Sequence, residues 1–172
     1  CVEDDGMTPN SSERVSISVS EEFEAVKEVL TFVKDINELK NYKAVPSWSI
    51  PAELWKLIFK YLDSNYTAAE NEVRAEWEER VLAGEGFTGS TESELTQFQK
   101  EVLEKLTKLH RMLARNLVIV KRDCKFPQGW CNGEVVELPK AGGTGPDYTR
   151  LINLLDPYGK AVVGHYALKF MP

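Results

Sequence analysis

Between Ile50 and Asp63 the chain reads Ile-Pro-Ala-Glu-Leu-Trp-Lys-Leu-Ile-Phe-Lys-Tyr-Leu-Asp, a segment that is apolar on more than one side at helical spacing. Pro51 suits the first turn of a helix, where its missing amide hydrogen is not needed. Leu54, Leu57, Ile58, Tyr61 and Leu62 then share one face, and Trp55 with Phe59, four residues apart, form a second. A helix apolar on two faces is buried between neighbouring elements or docked on another molecule. Whether the chain's own elements or a partner cover each face is the question the fold answers.

The flanking patterns supply the neighbours. Val15, Ile17 and Val19 alternate with polar residues at the period of a short strand, and Phe23, Val26, Leu30 and Val33 follow at three-and-four spacing, which predicts a helix from Ser20 to about residue 41. A third helix over Tyr66 to Leu82 has one narrow stripe, Tyr66, Ala69, Val73 and Trp77, among glutamates. Gly84, Gly86 and Gly89 end it in a flexible connection. Thr91 with Glu94 forms a capping box, and Leu95, Phe98, Val102, Leu106, Leu109 and Leu113 extend one long fourth helix to about Asn116. Strand patterns come next, over Leu117 to Arg122, Glu134 to Leu138, Arg150 to Asp156 and Lys160 to Phe170. Asp156-Pro157-Tyr158-Gly159 reads as a turn joining the last two in a hairpin. The expected class is α+β: an N-terminal four-helix module followed by a small, mostly antiparallel C-terminal β-sheet. Residues 1–13 form a loose arm, 14–116 the helical module with its leading strand, and 117–172 the sheet region, packed on the helices as one domain.

Composition sets outer bounds. A chain of 172 residues, 42% hydrophobic and 28% charged, is long enough to bury a core as one domain. The net charge of −6 is uneven, an acidic first half facing a mildly basic second half, and the overall acidity disfavours broad nucleic-acid binding. The run Leu117 to Val120 is far too short to span a bilayer. Cys1, Cys124 and Cys131 make no disulfide framework and, with His110 and His165, no zinc-ligand spacing, so the expectation is a cytoplasmic or nuclear protein without metal or cofactor. Against this, Cys124 and Cys131 could close a small loop, and Asn10-Ser11-Ser12 and Asn65-Tyr66-Thr67 are glycosylation sequons. A first residue Cys1 in place of methionine reads as an excised fragment or a processed terminus, organellar and lipid-anchored forms included.

Over residues 50–77, Pro51, Glu53, Leu54, Ile58, Phe59, Tyr61, Leu62, Asp63, Val73 and Trp77 stand by type and spacing as in the F-box, which the segment resembles. Thr67, Glu70 and Arg74 depart from that pattern. The resemblance implies a substrate adaptor of a cullin ubiquitin ligase, with Pro51, Leu54, Ile58 and Leu62 packing on the S-phase-kinase-associated adaptor. With Trp55 and Phe59 on the second apolar face, these six residues are the expected partner-binding set of the helix.

Phe126 and Trp130, in the loop Cys124 to Cys131, are further partner-binding candidates, because aromatic side chains supply much of the energy at interfaces. Alternatively the two rings fold back as a lid on the core. Lys105, Lys108, Arg111, Arg115, Lys121 and Arg122 form a basic stripe that would contact phosphates if the chain were an assembly subunit of an organellar or viral complex. The competing account is a solvated face paired with internal glutamates. Ala141 to Pro146 is glycine-rich but lacks the Gly-Lys-Ser/Thr ending of a phosphate cradle and precedes a strand, which makes it a loop. Pairing Cys124 or Cys131 with His165, or using Cys1 as an N-terminal nucleophile, has no local signature. No paired carboxylates, metal-ligand helix motif or nucleophile elbow nominates a catalytic residue. The function class that fits best is a protein–protein interaction module.

Overall fold

The first helix opens one residue earlier than its apolar pattern, because Ser18 caps it. The Ser18 hydroxyl accepts from the Glu21 amide while the Glu21 carboxylate accepts from the Ser18 amide, a reciprocal capping box. This is a computed structural model, which describes residues 16–84, 91–140, 142–143 and 149–170. Residues 16–18 are not in a strand, so the leading strand is corrected to a helix cap, and Val15 with the 1–13 arm lies outside the described residues. Helix α1 spans Val19–Thr31 and α2 spans Val33–Glu38, with a break at Phe32 where one continuous helix was expected.

Helix α3, Ala52–Leu82, merges the expected second and third helices into one of 31 residues. Nothing between Asp63 and Tyr66 breaks it: the Ser64 and Thr67 hydroxyls donate back to the carbonyls of Lys60 and Asp63. The helix ends at Ala83, after which Gly84 takes the left-handed conformation that glycine adopts without strain. Conversely, the long fourth helix divides into α4, Glu92–Lys105, and α5, Lys108–Asp123. Thr107 makes the division: its side chain caps the His110 amide, and its own amide donates to the Asn65 side chain on α3. The Asn65 sequon therefore sits inside a helix, with its amide oxygen occupied and Tyr66 buried beside it.

Two expected strands are helices. Leu117 to Arg122 continues α5, where Leu113, Ala114, Leu117 and Val120 line a single buried face against α1. Lys160 to Phe170 belongs to α7, Pro157–Phe170, whose Tyr158, Ala161 and Val162 are buried. The turn signal before it is an N-cap. Asp156 accepts from the Gly159 amide at 2.7 Å and from the Ser49 hydroxyl, and Pro157 occupies the first helical position. The two central residues of a type I turn and the first turn of a helix share similar dihedrals, so the tetrapeptide serves either. Asp156 is itself buried and ties α7 to the segment before α3. Asp156→Ala is expected to cost about 1–2 kcal/mol in chemical denaturation, most of it restored by Asn, which keeps the acceptor.

The sheet among the described residues is the antiparallel pair β1, Glu134–Pro139, and β2, Thr149–Leu154, in the register Val136↔Ile152. It replaces the expected hairpin of the last two strands. The fold is thus α+β but mostly helical, without a separate four-helix module: α7, from the C-terminal region, completes the core. Phe23, Val26, Val29 and Phe32 meet Phe59, Leu62 and Val73 of α3, Val102 of α4, Leu117 of α5 and Val162 of α7 in one cluster. No described helix is long and apolar enough to cross a membrane.

Candidate partner-binding surface

The two apolar faces of α3 have different fates. Trp55, Phe59 and Leu62 are 7%, 1% and 0% exposed, and Tyr66, Ala69 and Val73 continue their row into the core. Trp55 stacks on Tyr158 of α7 at 4.8 Å between ring centroids, and Phe59 meets the same ring at 5.7 Å. Leu54, Leu57 and Tyr61, at spacings of three and four, are 50%, 64% and 59% exposed. With about 100° of turn per residue, this outer strip lies roughly 120° around the helix from the buried row. Pro51 is exposed at its head and Ile58 half-buried at its edge, and Ile50 and Trp48 add exposed apolar surface just before the helix. Of the six residues expected to bind a partner, the structure leaves Pro51 and Leu54 on the surface and Ile58 at the margin. Trp55, Phe59 and Leu62 serve the chain's own core. Leu57 and Tyr61, grouped with Leu62 by spacing alone, belong to the outer strip.

Val73 and Trp77 lie farther along the same helix. Val73 is buried, while the Trp77 indole donates to Glu101 of α4 at 2.7 Å. Glu101 also accepts from Arg80 and Gln97. Burial raises the proton affinity of Glu101, but these donors outweigh it and hold the carboxyl below its ordinary range.

In the loop after α5, Trp130 folds back. It sits on helix α6, Gln128–Cys131, edge-on to Tyr158 at 5.3 Å, and a β-carbon at Gly159 would come within 2.7 Å of its ring. Phe126 stays half exposed beside it. Cys124 is an exposed free thiol in the left-handed C-cap of α5, so the loop is not closed by a disulfide at that residue.

Five of the six cations in the basic stripe meet carboxylates of this chain. Lys105 bridges Glu72 and Glu76 of α3, Arg111 and Arg115 both bind Glu22 of α1, Lys121 binds Glu28, and Arg122 binds Asp123. Lys105 of α4 thus meets the acidic row of α3, and the paired cations of α5 meet α1 or, for Arg122, their own helix.

The histidines also have internal partners. His110 is fully buried and its Nε2 lies 3.1 Å from the Val26 carbonyl; burial lowers its proton affinity, partly offset by that carbonyl. His165 Nδ1 lies 2.8 Å from the Asp35 carboxylate, joining α7 to α2, and its ring meets Phe32 and Tyr166. Cys124, the thiol considered beside it, belongs to the end of α5. Among the described residues no group of three or more His, Cys, Asp or Glu is placed to hold a metal ion. The glycine-rich stretch falls mostly outside the described residues. No protein-family model, curated protein or solved structure matches the chain.

Proposed function

We propose that this chain is a non-enzymatic protein–protein interaction module whose docking face is the outer strip of α3: Pro51, Leu54, Leu57 and Tyr61, with Ile58 at its edge. The observation that carries the reading is that α3 is apolar on two sides and its own fold covers one. A contiguous exposed row of this kind on a helix otherwise rich in charge marks an interaction site. The strip coincides with the F-box-like segment, so the partner to test first is the S-phase-kinase-associated adaptor of a cullin ubiquitin ligase. The assembly-subunit reading with nucleic acid has less support, because most of the cations it needs are engaged by glutamates and an aspartate of the same chain.

The test is co-elution with that adaptor on size-exclusion chromatography, using the native chain and the triple variant Leu54→Ser, Leu57→Ser, Tyr61→Ser. A complex with the native chain, weakened at least tenfold by the triple substitution while the melting temperature holds, is expected. Absence of a complex overturns the F-box assignment. Equal binding by the triple variant overturns the docking face.

A further inference from the structure

A cleft of about 760 Å³ opens on the opposite side of the α3 N-terminus, between the β1–β2 hairpin and the Glu38–Val45 segment. Its walls follow from strand register. Val136 and Ile152 are directly paired, and Leu138 and Leu154 lie two residues along the same face of the hairpin, so four aliphatic side chains line one side. Leu39 and Val45 face them across the gap, with Ala52 of α3 and Pro157 of α7 also in the lining.

The cleft is held open by polar clamps. The Lys56 ammonium donates to the Leu39 carbonyl at 2.7 Å and to the Asn41 side chain, fixing the far wall to α3. The Ser47 amide donates to Glu134 at 2.6 Å, fixing the start of β1 to the same segment. An isolated two-stranded hairpin is marginal in water, so an aliphatic inner face of this kind gains stability from whatever fills it.

Three observations define the ligand. Among the described residues the lining holds no aromatic ring, which suits an aliphatic chain over a flat stacked ligand. Among the described residues, Lys40, Lys43 and Lys160 edge the cleft against one acid, Glu38, in a chain whose net charge is −6. The volume lies in the range of small-molecule sites, about 300–1,000 Å³, and the walls come from three separate segments, unlike the flatter surfaces of protein interfaces. From the aliphatic walls and the lysine rim together we infer that this cleft binds a monomeric long-chain carboxylate, its chain against Val136, Ile152 and Leu154 and its head on Lys40, Lys43 and Lys160. The site is separate from the outer strip of α3 and stands or falls independently of it.

Isothermal titration calorimetry with dodecanoate below its aggregation concentration tests this, with dodecanol as the uncharged comparison. Stoichiometric binding of dodecanoate, at least tenfold tighter than dodecanol and weakened at high salt, is expected. Lys40→Glu with Lys43→Glu should weaken dodecanoate binding at least tenfold; both lysines are exposed, so the melting temperature should hold. Ile152→Trp, which fills the cleft, should abolish binding of both ligands. The inference is overturned if the native chain does not bind dodecanoate, or if the lysine reversals leave its affinity unchanged. It is equally overturned if the chain binds only acidic phospholipid vesicles in co-sedimentation, or only an acidic amphipathic peptide.

Discussion

Phe59→Ala is expected to destabilise the chain by about 3–5 kcal/mol, measured from the urea denaturation midpoint at constant slope. Phe59 is almost completely buried, packs on Trp55 of its own helix and Tyr158 of α7, and so joins the longest helix to the last one. Truncation removes the whole aromatic ring from a site walled by two other large rings, which have little freedom to close the gap. Phe59→Leu should recover more than half of the loss. Leu57→Ala, only two residues away, should move stability by no more than about 0.5 kcal/mol, because that side chain faces solvent. The contrast is the quantitative form of the two-faced helix. A Leu57→Ala cost comparable to that of Phe59→Ala would mean that the outer strip is covered in solution, and would overturn its assignment as a free docking face.

The apolar stripes of residues 20–113 supply most of the core, but they do not show which face is covered or where helices begin and end. Phe23, Val26, Val73, Val102 and Leu113 are buried in the stripes their spacing marks, whereas Leu95 of the same stripe is exposed and Phe59 and Leu62, expected to bind a partner, are buried. The break at Leu106–Thr107 was hidden because a threonine within a helical pattern signals a cap only when another segment, here Asn65 of α3, takes up the freed amide. Leu117–Arg122 and Lys160–Phe170 read as strands because β-branched and aromatic residues cluster there. Burial against α1 and against α2 and α3 overrides that local preference. In Val162 and Tyr166, four residues apart, a helical spacing was present beside the alternation of Tyr166, Leu168 and Phe170. Asp156 followed by Pro157 is the sequence signal that favours the helix, as an N-cap and a first helical residue. Within the candidate site, spacing alone grouped Leu54, Leu57 and Tyr61 with Leu62, since an apolar helix does not declare which of its faces the rest of the chain will reach. The cleft was not legible at all: its walls come from segments more than 90 residues apart, brought together by the hairpin register and the clamps of Lys56 and Ser47.

Glu22→Ala is expected to cost about 2–3 kcal/mol. Glu22 is buried on α1 and accepts from Arg111 Nε at 2.6 Å and Arg115 Nη2 at 3.1 Å, stitching α1 to α5. Both guanidinium groups keep partial access to water, which limits the loss below that of a fully enclosed pair. Burial pushes the Glu22 carboxyl up, but the two arginines outweigh it and hold it below its ordinary value of 4.5. The folded state therefore binds fewer protons than the unfolded chain. The stabilisation is complete above the unfolded pKa and is lost as pH falls from about 4.5 through the lower folded value. Glu22→Gln should flatten the acid limb of the stability–pH curve without removing it, because Glu101 is shifted in the same direction. The same substitution separates two accounts of the basic stripe, since it frees Arg111 and Arg115 without deleting a cation. If those arginines are occupied by internal pairing, binding of a labelled single-stranded RNA at low salt should be near background in the native chain and should rise in Glu22→Gln. Strong salt-dependent binding by the native chain, unchanged in Glu22→Gln, would show that the stripe contacts phosphate through Lys108 and its neighbours while the arginines remain engaged, and would return the assembly-subunit reading to first place.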